Sequence, residues 1–189
     1  THEHIDHARG AAELARRGIS LYLSKGTREN IPGIQNPYAL QIVRAYEPFH
    51  LYEQGEVLWT VLPWAAQHDA AEPLGFLIQS RSTGEKLLFA TDTCFIPNTF
   101  QGLHTIMIEC NYDRDMLERA IENGRTDSRI LHRLEISHFG LHNVKAMLAA
   151  NDLSQVSRIY LLHVSAANGD KRTFEREIRA FTGIPVTVF

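Results

Sequence analysis

Cysteine is scarce. The chain has two in 189 residues, Cys94 and Cys110, and no C-x-x-C pair. A disulfide framework and a cysteine-based zinc or redox motif are therefore excluded. No apolar run approaches the ~20 residues needed to cross a bilayer, and no secretory signal is visible, so no membrane association and a cytoplasmic location are expected. Charge of one sign is lacking too. The 19 Lys and Arg stand against 22 Asp and Glu, a net of −3, which gives no general attraction to nucleic acid. Arg9, Arg16, Arg17, Lys25 and Arg28 nevertheless sit close together near the N-terminus and leave room for a local basic groove. There is no repeat, low-complexity tract or linker. A chain of this length supports one domain with its own core, so residues 1–189 are expected to form a single domain.

Histidine, by contrast, is plentiful, with 10 in the chain. Three of them and an aspartate fall in Thr1-His2-Glu3-His4-Ile5-Asp6-His7. Imidazole and carboxylate are the usual ligands of zinc and related metals. In an extended segment His2 and His4 point the same way, because side chains alternate with period two. One metal can take His2 and His4, and a second can take Asp6 and His7, the ligand economy of a two-metal hydrolytic centre.

The rest of the chain reads as strand, polar motif and helix, several times over. Ala8 to Arg17 is helix-favouring and Gly18 ends it. Ile19 to Leu23 reads as a strand, and Ser24 to Pro37, rich in Gly, Pro and Asn, as a loop. Tyr38 to Tyr46 alternates weakly as a strand. Val57 to Ala66 is a further strand leading to Gln67-His68-Asp69. Leu74 to Gln79 and Lys86 to Ala90 are short strands joined by a hairpin-like segment, and the second ends in Thr91-Asp92-Thr93. Thr105 to Glu109 is an apolar strand, and Asp113 to Asn123 a helix stopped by Gly124. A polar stretch then leads to Ile136-Ser137-His138, where His138 is expected on a loop. Leu141 to Ala150 is helix-like, with His142 near its start. Arg158 to Leu162 is a buried-type strand ending at His163. Lys171 to Phe181 is an amphipathic helix, and Pro185 to Phe189 a last strand.

The H-x-H-x-D-H run resembles the signature of the metallo-β-lactamase-fold hydrolases. The other family that uses H-x-H, the amidohydrolases, needs a (β/α)₈ barrel of ~250 residues, too long for this chain. The resemblance implies an α/β fold, the αββα sandwich of two packed sheets with helices outside. It also implies a ligand set: His2, His4, Asp6 and His7 from the signature, His68 completing the first metal's three histidines, Asp92 of T-D-T bridging both metals, and His163 completing the second. Two divalent ions are implied, Zn²⁺ first and Mn²⁺ as the alternative. Glu109-Cys110-Asn111-Tyr112-Asp113, Ser137-His138-Phe139-Gly140 and Leu162-His163-Val164-Ser165 further resemble a bacterial branch, the WalJ/YycJ-type exonucleases with tRNase Z-like phosphodiesterases as neighbours. In that branch a histidine ahead of the last ligand acts on the phosphate or leaving group, a role that falls here to His138 or His142.

The resemblance therefore implies a metal-dependent phosphodiesterase acting on nucleic acid or a nucleotide. A metal-bridging hydroxide would be the nucleophile, oriented by Asp6. Two features depart from the pattern. Cys94 stands where the branch often has glycine, and strands that ordinarily precede the signature are absent from the sequence. The bare sheet edge this leaves is expected to be covered by a further segment or by a partner, such as a second copy in a homo-oligomer. Two rivals remain. An acyl or thioester hydrolase on the same centre would show an apolar slot where a phosphodiesterase shows a basic groove. A non-catalytic binding protein would have lost ligands, and none is missing. His138 and His142 have the spacing of H-E-x-x-H, but Phe139-Gly140 supplies no glutamate base, which excludes that protease motif.

Overall fold

The structure is a computed structural model and describes residues 1–189. Its centre is a seven-stranded mixed sheet: β3 (Phe49–Glu53), β4 (Glu56–Ala65), β5 (Leu74–Ser80), β6 (Lys86–Ala90), β7 (Thr105–Glu109), β8 (Arg158–Leu162) and β9 (Val186–Val188), side by side in that order. The first three junctions are antiparallel and the last three parallel. Hence β4, β6, β7 and β8 all point the same way and deliver their C-terminal residues to one edge. In open α/β sheets that edge is where ligands bind.

One face of the sheet is covered by helices α6 (Leu141–Ala150) and α7 (Lys171–Thr182), while α4 (Arg114–Glu122) and α5 (Ser128–Ser137) pack against each other. The core joins alternate strand residues, Leu88 and Ala90, Ile106 and Ile108, Ile159 and Leu161, to Val144, Met147 and Leu148 of α6 and Phe174 and Ile178 of α7. The helix residues recur at i+3 and i+4, the stripe that an amphipathic helix buries. Asp170 caps α7 by accepting from the Thr173 N–H at 3.1 Å. Gly183 ends it at φ 73°, a left-handed position that costs a glycine little.

The opposite face carries a small parallel sheet of β1 (Leu21–Leu23) and β2 (Leu40–Ile42), with helices α1 (Ile5–Ala8), α2 (Ala11–Arg16) and α3 (Lys25–Asn30). The Tyr22 ring stacks on Phe49 at 4.8 Å. Phe49 pairs in register with Val61, which points away from the helix-facing Trp64 by strand alternation. The α/β expectation and its sheet-and-helix layering therefore hold.

Four local readings do not. Ser24–Pro37 contains α3, because the Ser24 hydroxyl caps it by accepting from Thr27 N–H at 3.1 Å. The Ala-rich start is two short helices, broken at Gly10, the residue before α2. The polar stretch after Gly124 is mostly α5, capped by Asp127, and the loop bearing His138 therefore follows a helix. Finally, β3 is a strand where none is expected: it is the sheet edge, and His50, Tyr52 and Glu53 are exposed.

Trp64 is 1% exposed, and its register partner is Gly75. A Cβ at Gly75 would come 2.1 Å from the Trp64 ring. Gly75→Ala should therefore overpack the core and cost about 1–3 kcal/mol. Urea unfolding checks this as a lower midpoint at unchanged slope.

Candidate metal centre

The sheet edge gathers the predicted residues. His68 follows β4, Asp92 follows β6 and His163 directly follows β8, while Asp6 and His7 lie on α1 and His2 and His4 just before it. Asp92 and His163 have φ of 52° and 54°, a left-handed backbone that is costly for residues with a Cβ. Such strain persists where surroundings over-determine it, commonly at functional sites.

Donors lie close enough for a cation in four overlapping groups, one of them Asp92, Glu109, His138 and His163, and two sets use only expected ligands other than Asp92. In the first, His2 Nε2 and His68 Nε2 lie 3.1 and 3.2 Å from His4 Nδ1. A tetrahedral ion at ~2.0–2.1 Å from each nitrogen requires ligand separations of ~3.3 Å, so the three imidazoles fit one ion. In the second, Asp6 Oδ2 lies 3.6 Å from His7 Nε2 and 3.5 Å from His163 Nε2. Asp92 Oδ2 touches both sets, at 3.8 and 3.5 Å from His2 and His68 and 3.3 Å from His7. It is thus a single oxygen that faces both sets. Asp92 Oδ1 accepts from the Thr91 hydroxyl at 2.8 Å. His7 Nε2 is buried without a hydrogen-bond partner, as expected of a nitrogen kept for a cation. The donors present therefore fit two divalent ions sharing Asp92.

The ligand rings are held from behind, which fixes which nitrogen faces the cavity. His68 Nδ1 lies 2.7 Å from the Ser137 carbonyl. His163 Nδ1 lies 2.9 Å from Glu109 Oε1, and the Asn111 amide donates to the His163 carbonyl at 2.9 Å. Glu109, fully buried at the end of β7, is the functional residue that sequence reasoning missed. Its Oε1 also takes His138 Nδ1 at 2.6 Å. Its Oε2 accepts from the backbone N–H of Thr93 at 3.2 Å and of Phe139 at 3.3 Å. Two signals are available: a carboxylate ending the apolar run Ile106-Met107-Ile108, and its place at the head of the Glu109–Asp113 motif, to which the sequence reading gives no role.

His138, next after α5, sits at the rim between the two donor sets, its ring centroid 5.3 Å from that of His68 and 5.4 Å from that of His163. With Nδ1 on Glu109, its Nε2 is free to act on a substrate. His142 is not brought into the cluster. It opens α6, with its ring 6.0 Å from Tyr112, in a separate surface cleft beside Arg114 and Lys145. Cys94 lies 4.0 Å through Sγ from the Gln67 side chain and joins neither donor set.

Protonation differs between His2 and His163. Burial, then the neighbouring His7, hold His2 down at about 3, so it is neutral and ready for a cation. The hydrogen bond to Glu109 raises His163 to about 9 in spite of burial, with the charge of Asp92 adding to it. Burial pushes Asp92 upward, but contact with His7 and the charge on His163 outweigh it and leave the carboxyl well below its usual range. The proton on His163 must leave before Nε2 can take a cation. Metal uptake should therefore release a proton, and second-set affinity should rise with pH up to about 9. Calorimetry in buffers of different ionisation enthalpy reads that proton; uptake of both ions with none released between pH 6 and 8 would contradict it.

Two surface grooves lie outside the donor sets. One, of about 270 Å³, is mainly apolar and runs between the loop Phe95–Thr99 and α6, with Phe139 in its wall. The other, of about 580 Å³, is polar and lies along α2.

A sequence family described as "Beta-lactamase superfamily domain" matches residues 1–164. Exodeoxyribonuclease YycJ of Bacillus anthracis is 28% identical over 186 residues, covering 90% of this chain and 64% of that protein. Exodeoxyribonuclease WalJ of Streptococcus pneumoniae is 26% identical over 180 residues, with the same coverage. The chain thus spans about 64% of the length of these curated relatives. Among solved structures, unliganded yeast PDE1 aligns with a TM-score of 0.63 at 11% identity, over 100% of this chain and 65% of its own. CmlA, a diiron β-hydroxylase from Streptomyces venezuelae, aligns with a TM-score of 0.60 at 13% identity, over 98% of this chain and 42% of its own. At such identities the likeness is one of fold, and chemistry must be argued from the site.

Proposed function

The chain belongs to the beta-lactamase superfamily, and from that premise we propose that it is a two-metal phosphodiesterase acting on nucleic acid. His2, His4 and His68 would hold one ion, Asp6, His7 and His163 the other, with Asp92 between them. Three imidazoles suit Zn²⁺, while the carboxylate of the second set also admits Mn²⁺. When bound, the ions supply a water of lowered pKa and positive charge beside the reacting group.

The observation that carries the reading is the Glu109–His138 pair at the rim of the donor sets. Breaking a phosphodiester expels an alkoxide, a poor leaving group that needs a proton in the transition state. His138 Nε2 faces outward to give that proton, and Glu109 holds the other side of the ring and stabilises the imidazolium. A thioester expels a thiolate, whose conjugate acid has a pKa of ~8.5, and gains little from such a donor. Asp6, exposed at the mouth of the second set, accepts a hydrogen bond from the attacking water and turns its lone pair toward the substrate. The curated relatives named exodeoxyribonucleases support the same substrate class.

One observation favours a second reading: the apolar groove walled by Phe95 and Phe139 suits an acyl chain. Protein reconstituted with Zn²⁺ or Mn²⁺ should hydrolyse bis-p-nitrophenyl phosphate and a single-stranded oligodeoxynucleotide, and leave a medium-chain acyl thioester untouched. The reverse pattern would replace this reading with acyl hydrolysis.

A further inference from the structure

We propose that the groove along α2 is a track for the phosphodiester backbone of a polynucleotide strand whose scissile phosphate lies at the metal centre. The inference rests on the phosphodiesterase reading and goes past it, because it assigns a surface outside the donor sets to the strand beyond the scissile phosphate.

Charge is the first ground. Residues 8–36 hold Arg9, Arg16, Arg17, Lys25 and Arg28 against Glu13 and Glu29, an excess of three positive charges. The whole chain nets −3, so all the other residues together carry −6. Residues 171–179 hold a second, smaller excess, Lys171, Arg172, Arg176 and Arg179 against Glu175 and Glu177, but only the first segment adjoins the signature donors in the chain, and a polyanion is drawn to such positive segments of an otherwise acidic surface.

Position is the second. Arg9 caps the C-terminal end of α1, two residues beyond His7 and three beyond Asp6. It is exposed, makes no ion pair, and lines the groove with Glu13, Arg16 and Gln35. The one carboxylate in the groove is already engaged: Glu13 accepts from Arg16 Nε at 3.0 Å and from Arg17 Nε at 2.7 Å. That triplet keeps one net positive charge and holds two guanidinium groups in place. Gln35 adds an amide of the kind that contacts phosphate and sugar.

Length is the third. Arg9 and Arg16 are seven residues apart in two nearly continuous helices, about 10 Å at ~1.5 Å per residue. That distance is longer than a single phosphate group, so the two guanidinium groups can meet successive phosphates of one strand. A mononucleotide at the metals would leave the groove unused. A strand would place its next phosphates along it, Arg9 first.

The test is binding and turnover of Arg9→Gln and Arg9→Gln/Arg16→Gln beside wild type. Both side chains are exposed, so circular dichroism should show an unchanged fold. Fluorescence anisotropy of a labelled single-stranded oligodeoxynucleotide with metal-free protein should show Kd rising about tenfold in the double variant. The slope of log Kd against log salt should fall by about 0.7 per lost phosphate contact. With metal restored, turnover of bis-p-nitrophenyl phosphate should stay at the wild-type level while KM for the oligonucleotide rises. Unchanged affinity and salt slope in the double variant overturn the groove assignment, whatever the small diester shows. Oligonucleotide binding that depends on Arg9 and Arg16, in a protein that hydrolyses no diester, sustains the groove and overturns the catalytic reading instead.

Discussion

Asp92→Ala should empty both halves of the centre and abolish turnover, while His68→Ala should empty one. Asp92 Oδ2 is the only carboxylate oxygen that faces both donor sets. Without it each set keeps three donors, but nothing offsets the mutual repulsion of two dications a few ångströms apart. The three imidazoles of the first set supply no negative charge. His68 serves the first set alone, held by the Ser137 carbonyl, so its loss leaves Asp6, His7, Asp92 and His163 intact. Metal-ion stabilisation is worth several kcal/mol in the transition state, so Asp92→Ala should lower kcat by at least about 10³-fold. Elemental analysis after reconstitution and dialysis gives the discriminating number: two ions per chain in the wild type, close to none for Asp92→Ala, about one for His68→Ala. Equal single-ion losses in the two variants would show that Asp92 serves one ion only.

The clustering of the candidate donors is legible in the sequence because each is anchored locally. His2, His4, Asp6 and His7 are neighbours in the chain, and His68, Asp92 and His163 each follow an apolar run that reads as a strand. The parallel strands β6 and β8 deliver the last two to the same edge, so strand-end placement stands in for three-dimensional proximity. Glu109 had the same anchor, but its role is not local. It lies 29 residues from His138 and 54 from His163, and nothing in Ile-Glu-Cys shows which rings its carboxylate will meet. His142 illustrates the converse. Four residues from His138 on a continuous helix would bring the two rings onto one face. The chain instead turns extended at His138, and His142 points into another cleft. Of the helices missed, α3 is short and polar, while α5 carries Ile130, Leu131 and Leu134 at helical spacing between charged residues that mask it, and the caps Ser24 and Asp127 mark both. The edge strand β3 is hidden in the same way, because a strand with polar, exposed residues lacks the apolar run that betrays its buried neighbours.

His138→Ala should cut turnover by about 10²–10⁴-fold, the usual worth of a general acid or oxyanion partner, while leaving metal content at the wild-type level. The ring stands with Asp92, Glu109 and His163 in a group whose donor atoms also lie close enough for a cation, but its Nδ1 is committed to Glu109. Glu109→Gln should do something different. The same oxygen, Oε1, holds His138 and His163, so the amide weakens both the proton donor and the ring that faces the second ion. Losing such a supporting carboxylate typically costs 10–100-fold in metal affinity or activity, and here both should move. His142→Ala should alter neither, because its ring packs near Tyr112 outside the cluster. The three variants thus separate by two readouts, turnover with saturating metal and affinity for the second ion. If His138→Ala lowers metal content, His138 is a ligand and the donor sets must be redrawn. If His142→Ala loses turnover while His138→Ala keeps it, the proton comes from the other cleft, and the Glu109 carboxylate serves only to orient His163.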